Sequence, residues 1–140
     1  MGAWGTESCS NDSCWDCLYA KNIHQMTQKE ADNSLARTFE ELSFFGDDAA
    51  NKESALGVVI WILRQGLVVN KKYLKRALKW ASDLSASKDY MNEWDSPQER
   101  KMNLDKESVE INKALIAKGK GIKQHIPGLL EKIAEKINVL

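Results

Sequence analysis

Cys9, Cys14, Cys17 and His24 stand in the spacing C-x4-C-x2-C-x6-H. Four soft ligands at such intervals can close a zinc tetrahedron. A second paired knuckle is missing, however, and Cys14 and Cys17 fall on a predicted helix among apolar neighbours. Free cysteine in that setting behaves as a small hydrophobe, so the pattern reads as packing before it reads as metal. No βαβ pattern surrounds the Cys14–Cys17 pair, which argues against a thioredoxin-like redox motif. No cofactor is implied.

Asp12 and Asp16 come next. Four apart on a helix they share a face, and paired carboxylates can do acid/base work or hold a hard cation. The competing account is structural. Asp12 caps the helix, Asp16 takes backbone amides of the preceding glycine-rich lead-in or the Trp4 indole N–H, and the macrodipole favours both acids.

The third constellation is basic. Lys71, Lys72, Lys75, Arg76 and Lys79 form a stripe along one predicted helix. Such a run is ordinarily a solvated face. Two of its lysines occupy the first turn, where positive charge opposes the helix dipole, and that local cost points to an acidic partner: a phosphate-bearing ligand or a protein surface. Lys118, Lys120 and Lys123, threaded through Gly119 and Gly121, can add to it, although no phosphate-loop pattern is present. The histidines, His24 and His125, belong to no nucleophile motif. Trp94 and Arg100 flank a helix start and, if exposed, are typical anchors for a partner.

The elements that must position these residues are helical. At 140 residues with 43% apolar and 29% charged composition, the chain is one domain able to bury a core without staples. Two prolines and eight glycines leave few tight turns. A short helix is expected from 11–12 to about 23, after an irregular N-terminal lead-in in which Trp4 is an anchor. Thr27-Gln28-Lys29-Glu30 is a capping box, opening a helix in which Leu35, Phe39, Leu42 and Phe45 keep helical spacing, with Gly46 as terminator. Residues 55–63 are apolar almost all round. Arg64, Gly66 and Leu67 follow as a helix stop, so about 51–65 is expected as a buried central helix and not a strand. Asn70 caps a helix over 71–84, and 85–92 reads as a polar connection. Ser96-Pro97-Gln98-Glu99 opens another helix to about 118, with Met102, Leu104, Val109, Ile111, Leu115 and Ile116 as its apolar members. Pro127 starts a last one carrying Leu129, Leu130, Ile133, Ile137 and Leu140. The expected fold is all-α, a single-domain bundle (1–140) of about six helices.

Charge is balanced in sum but not in place. Residues 1–60 carry ten acids and four bases, whereas residues 61–140 carry ten acids and sixteen bases. The zero total speaks against a general nucleic-acid binder. No apolar run approaches the roughly 20 residues a membrane span needs. Residues 1–20 have no secretory pattern, and three crowded cysteines make no disulfide framework, so a reduced, cytoplasmic protein is expected.

Met1-Gly2-Ala3-Trp4-Gly5, followed by Asp12 and Asp16, resembles the opening of a bacterial family of unknown function whose members begin Met-Gly-(Ala/Thr)-Trp-Gly and soon reach an Asp-x-x-x-Asp helix start. The match covers about the first 20 residues. Glu7 and Cys9 stand where members commonly have a glycine and an aromatic. The resemblance implies a small helical bacterial or phage protein and brings no activity with it.

Together these features favour a non-enzymatic binding protein that recognises another macromolecule, of immunity, inhibitor or anti-defence type. The alternatives are a protein that binds or sequesters a nucleotide or other phosphate-bearing anion at the basic stripe, and a metal-dependent hydrolase working through Asp12 and Asp16. Gly2, Trp4, Gly5, Asp12 and Asp16 are then read as a structural device that fixes the N-terminus against the first helix.

Overall fold

A computed structural model describes residues 7–9, 12–45 and 48–123. Among them the chain forms α1 (Asp12–Asp16), a 3-10 turn (Ile23–Gln25), α2 (Gln28–Phe45), α3 (Ala49–Arg64), α4 (Lys71–Ala86), α5 (Lys88–Asn92) and α6 (Pro97–Ile116). No strand is present among the described residues beyond one isolated bridge, Val68 to Lys120. The fold is all-α. No helix among them is long and apolar enough to cross a membrane.

The expected central helix is α3. Ten consecutive residues, Ala55 to Arg64, are buried, and the helix touches α1, α2, α4 and α6. Its start is capped by Asp48, whose carboxylate accepts the Asn51 N–H at 2.9 Å. Its stop lies where the Arg64-Gln65-Gly66 sequence puts it: Gly66 adopts φ +78°, a left-handed geometry that glycine enters without steric cost. With helices on several sides, α3 needs no polar face, which is why its sequence lacks amphipathic periodicity.

The box that opens α2 closes in both directions. Thr27 N–H donates to Glu30 Oε1 at 3.0 Å, and Glu30 N–H donates to Thr27 Oγ1 at 3.1 Å. The other carboxylate oxygen of Glu30 accepts the Lys21 N–H at 2.8 Å, and Ser34 Oγ accepts the Tyr19 N–H at 2.9 Å. Those contacts correct the first helix. It was expected to reach about residue 23, but α1 ends at Asp16. Cys17 and Leu18 N–H turn back to the Cys14 and Trp15 carbonyls, and the next amides bound, those of Tyr19 and Lys21, go to α2 side chains, so the chain runs irregularly until Asn22 caps the 3-10 turn.

Two further corrections concern the second half. Residues 85–92 are not a plain connection: Ser87 Oγ accepts the Tyr90 N–H at 3.3 Å and opens α5, which carries the buried Tyr90 ring. On α6 the inward stripe is Arg100, Leu104, Glu107, Ile111 and Ala114, whereas Met102, Val109 and Ile116 are exposed. Intervals of four, three, four and three keep that stripe on one side of a 3.6-residue helix. Its two charged members hid it from a hydrophobic reading. Ser96 precedes Pro97 as expected, but its side chain makes no cap hydrogen bond.

The expectations for Gly2, Trp4, Gly5, the Asp12 side chain, Leu42, Phe45, Gly46, His125 and the helix from Pro127 lie outside what is described.

Candidate functional site

The outer face of α4 gathers the basic stripe. Asn70 caps the helix by accepting the Lys72 N–H at 2.9 Å. Leu74, Ala77, Trp80, Ala81 and Leu84 turn inward, which leaves Lys71, Lys72, Lys75, Arg76 and Lys79 exposed on the opposite side. Under two of these cations lies an aromatic floor shared with α2. Phe39 stacks on Trp80, with centroids 5.2 Å apart, and meets Tyr73 at 4.4 Å. The Arg76 guanidinium lies 4.8 Å from the Phe39 centroid and 4.9 Å from that of Trp80. Lys72 Nζ lies 4.9 Å from the Tyr73 centroid. Ring faces attract cations, so both are steered before anything binds.

Among the described residues, acids neutralise only the far end of the stripe. Lys79 Nζ meets Asp83 Oδ2 at 3.1 Å, and Lys52 approaches the same oxygen at 3.6 Å. The Lys79 hydrogen bond leads the interactions that hold the Asp83 carboxyl below its ordinary range. Among the described residues no ion pair reaches Lys71, Lys72, Lys75 or Arg76.

Beside the entry to α4 sits the second basic element. Val69 N–H donates to the Gly119 carbonyl at 2.8 Å and Gly121 N–H to the Leu67 carbonyl at 2.9 Å. Gly119, at φ +92°, passes so close to the Val69 carbonyl that any side chain would collide with it. The loop thus holds exposed Lys118 and Lys120 next to the residues that lead into Lys71. A cavity of about 50 Å³ lies nearby, lined by Leu63, Glu110, Lys113, Ala114, Lys120, Gly121 and Ile122. Sites for nucleotide-sized ligands run to about 300 Å³ and more, so this cavity does not hold one.

Arg100, expected as an exposed anchor, is completely buried. Its Nη2 donates to Ser8 Oγ at 3.0 Å and its Nε to the Tyr90 hydroxyl at 3.0 Å, while the hydroxyl donates to Glu53 Oε1 at 2.6 Å. Glu107, also without exposure, accepts the Ser8 N–H at 2.9 Å and the Ser8 Oγ–H at 2.5 Å. Burial pushes the Glu107 carboxyl above its ordinary range despite Arg100 and Ser8. A parallel cluster holds Arg64 between Glu7 at 2.9 Å and Glu110 at 3.1 Å. Burial opposes the Arg64 charge, and the Glu110 and Glu7 carboxylates outweigh it. These clusters seat residues 7–9 between α3 and α6. Trp94 is half-buried, edge-on to Tyr90, with the Arg100 guanidinium 4.9 Å from its ring.

Cys9 and Cys17 lie near enough to Cys14 to help raise its thiol value, while His24 packs among aromatic rings. Cys9 and Cys14 are buried, and burial pushes the Cys9 thiol up to about 12 and raises that of Cys14. Cys14 lies beneath α3, where a Cβ added to Gly57 would come 2.7 Å from its sulfur. His24 instead joins the rings of Trp15 and Trp61, at 5.7 and 5.6 Å. Asp16 is exposed on α1. Among the described residues no three His, Cys, Asp or Glu side chains are grouped to hold a metal ion.

No protein family, curated protein or solved structure matches this chain. Its chemistry rests on its own geometry. The sequence named the α4 stripe but not its aromatic floor. In the sequence Phe39 and Trp80 fall in separate helices with nothing to pair them, and the available signal is Tyr73 and Trp80 interleaved with the cations.

Proposed function

We propose that this chain is a non-enzymatic binding module that docks an anionic macromolecular surface on the outer face of α4. The observation that carries the reading is Arg76 and Lys72, held over the Tyr73, Phe39 and Trp80 rings beside Lys71 and Lys75, with no acid among the described residues to neutralise the four. Four like charges on one exposed face repel one another, and an anionic partner relieves that repulsion while steering its own approach. Two other charge clusters among the described residues are consumed internally: Arg100 with Glu107 and Glu53, and Arg64 with Glu7 and Glu110.

Retention on an anionic resin tests it. A protein of zero net charge has no global reason to bind such a matrix. The wild type is expected to be retained in about 50 mM salt and the Lys71→Glu/Lys75→Glu variant to flow through, the Debye length being near 10 Å at 0.1 M. Equal behaviour of the two sinks the proposal.

A further inference from the structure

We infer that the anionic partner of the α4 face is the phosphate backbone of a nucleic-acid duplex, bound without regard to sequence. The inference rests on the reading of α4 as the binding face and adds the chemistry of what sits there.

The composition of the face discriminates among polyanions. Lysine is depleted from protein–protein interfaces, whose energy is concentrated in buried aromatic and arginine anchors. Four of the five α4 cations are lysines, and the rings that would anchor a protein are already spent: Phe39 and Trp80 are buried, with Arg76 over them. A dense row of phosphates asks for no anchor. Its affinity comes from the counterions that each lysine or arginine displaces.

The same rings decide between one strand and two. Single-stranded nucleic acid is held by stacking unpaired bases on exposed aromatic faces. On α4 the Trp80 ring is buried and Tyr73 half-buried beside Lys72, so the face offers charge without a stacking platform. Its means of base readout are few. Asn70 spends its side chain on the Lys72 amide and Arg76 is held on the rings, which leaves mainly lysines, point charges suited to phosphate contacts that carry no sequence information. Lys118 and Lys120, fixed beside the start of α4 by the Val68–Lys120 bridge, lengthen the charged track. The zero net charge is an average over 140 residues, and it hides this local concentration.

Fluorescence anisotropy with the full chain and three labelled probes tests the assignment: a duplex of about 20 base pairs, a single strand of that length, and polyglutamate. The duplex is expected to bind tightest, with a log–log salt slope of about −5 if Lys71, Lys72, Lys75, Arg76, Lys118 and Lys120 each meet a phosphate. A second duplex of unrelated sequence should match it within about threefold, since phosphate contacts are blind to sequence. Lys75→Gln, at an exposed position with no ion pair among the described residues, should make the slope shallower by about one. Tighter binding of the single strand overturns the duplex assignment. Polyglutamate bound as tightly as the duplex overturns nucleic acid but leaves the anionic-partner reading standing. Binding of none of the probes at 50 mM salt sinks both.

Discussion

Arg100 and Glu107, one heptad apart on α6 and both without exposure, meet through Ser8 more closely than they meet each other. Their nearest charged atoms are 3.9 Å apart, whereas the Ser8 hydroxyl accepts from Arg100 at 3.0 Å and donates to Glu107 at 2.5 Å. A buried ion pair is costly unless its remaining donors and acceptors are filled. Here Tyr90 and the Ser8 amide supply what the pair leaves open. A residue near the N-terminus thereby becomes part of the polar core between α3 and α6.

Removing either charge should therefore cost more than removing the hydroxyl. Above the folded-state value of Glu107, where its carboxylate is ionised, Glu107→Ala leaves Arg100 buried with one anion fewer and is expected to destabilise by about 3–5 kcal/mol. Ser8→Ala leaves the charges in place and should cost about 1–3 kcal/mol, the penalty for buried groups losing a hydrogen-bond partner. Urea denaturation of the two variants gives the order, and a Ser8→Ala cost above that of Glu107→Ala would refute the network.

The same carboxylate predicts a pH dependence. Burial raises the folded-state value of Glu107 above its ordinary 4.5, so the native state keeps a proton that the unfolded chain sheds. By linkage, the associated stability is fully present below 4.5 and is lost as pH rises through the folded-state value. Glu30 and Asp83, whose values are lowered, act in the opposite sense, but they do so equally in the variant. The stability difference between wild type and Glu107→Gln should thus shift against the wild type as pH rises from 4 to 8. A difference independent of pH contradicts the assignment.

Gly57 separates α3 from ordinary helices. Replacing an interior glycine by alanine normally stabilises a helix by about 1 kcal/mol. At this position the added Cβ would overlap the Ser8 carbonyl oxygen and come 2.7 Å from Cys14 Sγ. Gly57→Ala is expected to destabilise by about 1–3 kcal/mol, as overpacking does, and to raise hydrogen exchange at Ser8 and Cys9. Stabilisation by the substitution would show that residues 7–9 do not pack against α3.

How far the sequence revealed this arrangement depends on whether a signal was local. The Thr27–Glu30 box, the Asn70 cap and the stop at Gly66 are contacts within a few residues, and each stands where the pattern placed it. The end of α1 was hidden because it is decided by Ser34 and Glu30, both on α2. The inner face of α6 was not legible because Arg100 and Glu107 occupy core positions, while Met102, Val109 and Ile116 form apolar positions on the side away from the core. Likewise the α4 stripe was visible, but the stacking of Arg76 on Phe39 depends on how α2 and α4 meet.

Function and stability should trade off at the start of α4. Lys71 lies in the first turn, where the helix dipole disfavours a cation. Lys71→Glu reverses that charge and is expected to stabilise by about 0.3–1 kcal/mol at low salt, while weakening retention on the anionic resin. Thermal melts and elution profiles on one preparation check both signs. Unchanged binding would remove the first turn from the proposed face.

The three thiols should differ sharply in reactivity. Thiolate is the reactive form, and burial keeps Cys9 and Cys14 protonated, Cys9 up to about 12. Cys17, at the end of α1, is the least enclosed of the three. A thiol reagent at pH 8 should modify Cys17 first, and the other two only at the rate at which the fold opens. In urea all three should react together. Rapid modification of Cys9 or Cys14 in the native protein would mean that residues 7–9 leave their seat between α3 and α6 without global unfolding, and that the Arg64 and Glu107 clusters do not lock them there.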